Sequence, residues 1–179
     1  MLTAAGVTFS TIVPQVDELM LRAQAKDGAA AARAIAEQKA LAVSKTHLDA
    51  WVIGADQVLE VGTTLLGKPG TWAEARSQLT LLRGRTHRLV TAVAVAHAGA
   101  ITWHHMESPS LTARTFTDEA LDDYVGRAGD AVLGSPGAYH FEGLGASLFD
   151  EVQGDYFSIL GLPLLPLLAY LRTQAVISA

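Results

Sequence analysis

Four groups of polar residues in this 179-residue chain are of types that do chemistry, and core packing alone explains them poorly. Lys39 falls on the apolar stripe of an Ala-rich segment. Ala32, Ile35, Ala36, Lys39 and Val43 recur at helical spacing, so the lysine points along the face that seeks the core. Asp56 follows the apolar run Trp51-Val52-Ile53-Gly54-Ala55, expected to be a buried strand, and its carboxyl end is where open α/β sheets bind ligands. Lys68 stands in Gly67-Lys68-Pro69-Gly70, a rigid turn that presents its side chain at a fixed place. Asp17 and Glu18 follow the first apolar run, in Pro14-Gln15-Val16-Asp17-Glu18. Each has an ordinary reading as well: a snorkelling lysine, a turn-forming aspartate, a surface lysine, a solvated strand end. Together they supply two cations and a small set of carboxylates at element ends, the composition of a site that holds a phosphate chain and a divalent metal.

The elements that must position these groups alternate between strand and helix. The opening MLTAA reads as the tail of a helix ended by Gly6, followed by a strand over Val7–Val13. Helices are expected over Ala29–Lys45, by alanine propensity, and over Thr71–Arg83. In the latter, Thr71 and Glu74 form a capping box, Ala75, Leu79 and Leu82 a stripe, and Gly84 the end. Two β-rich runs, Leu89–His97 and Thr102–Phe116, are expected to pair. Thr117 caps a helix with Asp118 and Glu119 in its first turn, where the macrodipole favours acids. Gly134–Gly145 is a glycine-rich loop suited to close approach. Ala146–Val152 and Tyr156–Leu160 read as two strands around a Gly154-Asp155 turn, and Leu164–Arg172 as a closing helix. The expected fold is a single α/β domain over residues 1–179, a mixed twisted sheet flanked by helices.

Composition narrows the function classes. Half the residues are hydrophobic and 17% are charged, which excludes a disordered chain. A net charge of -5 disfavours binding to a nucleic-acid polymer through bulk electrostatics. Without cysteine there are no disulfides, thiol nucleophiles or zinc-thiolate sites. No signal-peptide pattern opens the chain, and Pro163 and Pro166 interrupt its most apolar stretch, so a soluble, cytoplasmic protein without a membrane partner is expected. The six histidines lack metal-ligand spacing: His104 and His105 face opposite sides of any strand. Neither a Gly-x-Ser-x-Gly elbow nor a Walker loop occurs.

Taken in order, these residues resemble the Maf family of nucleoside triphosphate pyrophosphatases. PQVDE (Pro14 to Glu18) is similar to the family's acidic motif, AIAEQKA (Ala34 to Ala40) to its lysine helix and VIGADQV (Val52 to Val58) to its Gly-Ala-Asp signature. LLGKP, RGRTHRLVTAVAV and the block from Pro136 to Leu164 follow in the family's order. The family's opening strand and Ser-x-Ser-Pro-Arg-Arg phosphate loop have no counterpart; Met1 matches the helix after that loop. The resemblance implies a Maf/ITPase-like fold and cleavage between the α and β phosphates. It implies Asp56 as catalytic base and metal ligand, Glu18 as the second ligand for Mg²⁺ or Mn²⁺, and Lys39 and Lys68 as phosphate-binding cations. Gln57 after Asp56, and Glu142, resemble the branch that cleaves 7-methyl-GTP, and both are expected to bind substrate. A carboxylate favours a base made cationic by N7 methylation. Gly137-Ala138-Tyr139 is closer to the dTTP/UTP branch. The remaining alternatives are a dTTP/UTP pyrophosphatase and a catalytically impaired nucleotide-binding module linked to septum formation. A nucleotide partner is implied, and a homodimer is allowed.

Overall fold

The computed structural model describes residues 1–178. Helix starts follow the local capping chemistry: Asp17 accepts from Met20 N–H, Asp27 from Ala30, Thr71 from Glu74 and Thr117 from Ala120. These caps open α1 (Glu18–Gln24), α2 (Gly28–Ser44), α3 (Trp72–Leu82) and α4 (Asp118–Ala128). The Thr71–Glu74 capping box is closed in both directions, and the stripe Ala75, Leu79 and Leu82 is buried. The opening stub is a short 3₁₀ turn ended by Gly6 in the left-handed region. The C-terminal segment forms α6 (Leu164–Thr173).

Six strands make one hydrogen-bonded sheet: β1 (Val52–Val61), β2 (Thr64–Leu66), β3 (Thr86–His97), β4 (Ala100–Glu107), β5 (Ser110–Ala113) and β6 (Phe149–Gln153). Its order is β2-β1-β3-β5-β6, with β4 also on β3. The pairs β1–β2, β3–β4, β3–β5 and β5–β6 are antiparallel. The chain divides into two compact units. The first holds Met1–Gln57, Thr91–Glu107 and the chain from Asp155 on; the second holds Val58–Val90 and Ser108–Gly154. β1 and β3 each contribute residues to both, so no linker marks a boundary in the sequence.

The first unit is built on Val93, Val95, Leu162, Leu164, Leu167 and Leu171, with Trp51 and Ile53 packed against them. The leucine-rich C-terminus is therefore core, each fully buried leucine contributing about 1.5–3 kcal/mol. No described helix is long and apolar enough to cross a membrane. In the second unit α3 packs on α4. The glycine-rich loop makes the close approach expected of it: a Cβ on Gly145 would lie 2.5 Å from the His140 carbonyl oxygen.

Four expectations are corrected. Val7–Val13 joins no ladder. Phe9, Ser10, Thr11 and Ile12 instead line a cleft of about 460 Å³ together with Trp51, Val52 and Ile53. The strand at Trp51 runs on to Val61, which places Asp56 mid-strand instead of at its end. The run from Thr102 to Phe116 is two strands, because the Ser108-Pro109 break separates β4 from β5. Beyond β6, Tyr156–Ile159 is a helical turn, α5, because the Asp155 carboxylate caps Ser158 N–H at 2.7 Å.

His87, in the second unit, is 1% exposed, and its Nε2 lies 2.7 Å from the Tyr139 hydroxyl. Its Nδ1 is buried with no hydrogen-bond partner. Burial pushes the His87 pKa down to about 4. The unfolded chain therefore takes up a proton near the ordinary histidine value of about 6.5 while the native state does not, so stability falls as pH drops. About 3 kcal/mol of unfolding free energy should disappear between pH 6.5 and 4, at about 1.4 kcal/mol per pH unit. Urea titrations at several pH values check this. The acid-dependent loss should shrink in His87→Gln, and an identical slope in that variant would assign the loss to other groups.

Candidate active site

Three elements of the first unit bring the site together. α2 buries Ala32, Ile35 and Ala36 completely or nearly so, and Lys39 lies on the same face. Gly54 of β1 meets α2 at Ala36 and Ala40, the residues flanking Lys39, with no room for a side chain. This close approach lets the lysine reach across the strand. Its Nζ donates to Asp56 Oδ1 at 2.9 Å and to the Ala55 carbonyl at 3.4 Å. α1 packs on α2 and adds Glu18, whose Oε1 is 2.9 Å from the same ammonium. The paired acids divide their work: Asp17 caps α1, and Glu18 faces Lys39.

Charge and burial oppose one another here. The Asp56 side chain is 8% exposed and that of Lys39 19%. Burial raises the Asp56 pKa above the ordinary carboxylate value and outweighs the opposing pull of Lys39. Burial also works against the Lys39 ammonium, but the hydrogen bonds and charges of Asp56 and Glu18 prevail and hold its pKa above the usual lysine value. The result is a cation fixed by two acids beside a carboxyl group of raised basicity. Asp56 Oδ2 is buried and accepts no hydrogen bond.

Arg22 is the site residue that the sequence reading missed. From the last turn of α1 it places a terminal guanidinium nitrogen 3.8 Å from Asp56 Oδ2. The available signal was helical spacing, since Arg22 is four residues after Glu18 and so shares its face. Gln57 points away from Asp56, as strand alternation requires. Its amide nitrogen donates to Thr91 Oγ1 at 2.7 Å and to the carbonyls of Ser158 and Ile159 at 2.9 and 3.2 Å, which ties β1 to α5. That nitrogen is committed to the protein. Lys68 and Glu142 are exposed residues of the second unit. The site brought together in the first unit thus comprises Glu18, Lys39 and Asp56, joined by Arg22.

The whole chain bears the same likeness. Residues 1–174 match the family described as Maf-like protein. The chain belongs to the Maf family. Among Maf relatives, a nucleoside triphosphate pyrophosphatase of Rhodospirillum rubrum is 47% identical, covering 99% of this chain and 90% of the relative. One of Paramagnetospirillum magneticum is 46% identical over 96% of this chain and 91% of the relative. A 7-methyl-GTP pyrophosphatase of Brucella abortus is 41% identical over 99% of this chain and 91% of the relative. Glu18, Lys39 and Asp56 come from three elements, α1, α2 and β1, that converge in space.

Proposed function

We propose that this Maf protein hydrolyses a nucleoside triphosphate to the monophosphate and pyrophosphate. The observation that carries the proposal is the Lys39 ammonium held between Asp56 and Glu18, with the second Asp56 oxygen buried and accepting no hydrogen bond. The relatives' names supply the reaction class.

Asp56 Oδ2 and Glu18 suit a hard divalent cation, Mg²⁺ or Mn²⁺. A buried carboxylate oxygen lacking a donor is the kind of group such an ion satisfies. Two carboxylates are enough where substrate phosphates complete the shell. Among the described residues no larger group of acids and histidines gathers into a metal site. The bound ion would neutralise phosphate charge. Asp56 takes the proton of a water whose oxygen attacks the α-phosphorus. The bond from that phosphorus to the oxygen bridging it to the β-phosphorus breaks, and pyrophosphate leaves with the electron pair. Lys39 stabilises the charge that gathers on the phosphoryl oxygens, a task of positioning and electrostatics. By family likeness Lys68 neutralises phosphate charge, and the protein works in the cytoplasm, where free nucleotide is its partner.

Glu142 is assigned to base selection, favouring 7-methyl-GTP through the positive charge of its base. Pyrophosphate release from 7-methyl-GTP, dTTP, UTP and GTP with MgCl₂ tests both parts. Release from at least one is expected, with 7-methyl-GTP preferred. Glu142→Gln should move the preference toward dTTP or UTP, and an unchanged ranking would remove Glu142 from base selection. Absence of release from all four would sink the hydrolase reading.

A further inference from the structure

Arg22 and Asp56 present an unusual pair of unmet groups. Arg22 Nε is buried and donates no hydrogen bond; Asp56 Oδ2 is buried and accepts none. A terminal guanidinium nitrogen of Arg22 stands 3.8 Å from that oxygen, a charge contact too long to be a hydrogen bond. A guanidinium offers five N–H donors in a rigid fork. Here the fork is a quarter exposed, lies in the last turn of a helix capped by Asp17, and has no hydrogen-bonded acceptor among the described residues. Lys39, in contrast, has its donors engaged by Asp56, Glu18 and the Ala55 carbonyl. The free donor capacity of the site therefore belongs to the arginine.

We propose that Arg22 binds the phosphate chain of the substrate, a role that rests on the pyrophosphatase reading and adds a residue to it. Phosphate oxygens match the fork in shape and charge, and a planar guanidinium can engage two of them at once where an ammonium acts as a point charge. Arg22 takes no part in proton transfer, which stays with Asp56. It acts on binding, beside a carboxylate whose own charge discourages an anion from approaching alone.

Arg22→Gln and Arg22→Lys are compared with the unaltered chain in two measurements. In steady-state cleavage with MgCl₂, Arg22→Gln should raise KM for the nucleotide about 10–100-fold, the loss of charge-assisted bidentate contacts, with kcat within about threefold. Arg22→Lys should recover part of the loss, because it restores the charge and not the fork. In calorimetry with inorganic pyrophosphate and MgCl₂, the dissociation constant should rise by about tenfold in Arg22→Gln. Unchanged KM and unchanged pyrophosphate affinity overturn the proposal. A fall in kcat with unaltered KM and affinity also overturns it, because Arg22 then serves only to position Asp56. If the unaltered chain cleaves no nucleotide yet its pyrophosphate affinity depends on Arg22, the hydrolase reading fails and the anion site stands. If it binds no pyrophosphate at all, the anion site fails.

Discussion

Asp56→Asn lowers turnover of the nucleoside triphosphate by about 10²–10⁴-fold, the usual contribution of a positioned general base. The substitution keeps the side chain's shape, and an Asn carbonyl can still accept the hydrogen bond that Lys39 Nζ makes to Oδ1. It removes the basic oxygen and the negative charge together. Stability should change little. The variant no longer buries a charged carboxyl group, and Lys39 retains Glu18 as counter-ion. Single-turnover rates measured beside thermal unfolding separate the two effects. A variant that folds and turns over at the rate of the unaltered chain excludes Asp56 as the base.

The second large effect falls on a residue with no side chain. A Cβ on Gly54 would collide with the Ala36 carbonyl oxygen and stand 2.7 Å from Ala40 N. Both obstacles are backbone of a helix whose inner face is fully buried, so neither can yield as the end of a flexible side chain could. Gly54→Ala must push α2 away from β1, at the upper end of overpacking costs, about 3 kcal/mol or more. For a chain of this length the melting temperature should fall by about 6–12 °C. Lys39 lies between Ala36 and Ala40, so the same displacement carries its ammonium away from Asp56. Activity measured well below the melting temperature should drop too, by about 10²-fold for a misplacement near 1 Å. If melting temperature and rate both match the unaltered chain, α2 is not held against the strand as described.

The two effects meet because core packing and chemistry use the same contact. A glycine on the strand and a row of alanines on the helix bring two backbones close enough for a lysine to span the gap. The burial created by that contact then sets the basicity of Asp56. Arg22 and Glu18 arrive from a third element whose place depends on its packing against α2.

What the sequence by itself determined is whatever is decided within a few residues or by a repeating face. The caps at Thr71 and Thr117, the buried stripe of α3, the core face of α2 and the closing leucine helix are all of this kind. So is the presence of Lys39 on an apolar stripe. Only the tertiary structure decided which apolar runs became strands, because a strand exists through its partner. Val7–Val13 has the composition of a strand and no ladder, whereas β1 continues through Asp56 and Gln57 to the buried Val58, Leu59 and Val61. Tyr156–Ile159 turned helical because Asp155 capped it, a local signal that its aromatic and β-branched residues obscured. The contacts of Lys39 with Asp56 and Glu18 join residues 17 and 21 positions apart, and no periodicity reports such distances. Helical spacing already puts Arg22 on the face of Glu18, but its unmet donor showed only when three elements had packed, since an unmet donor is a property of its surroundings and not of its residue type.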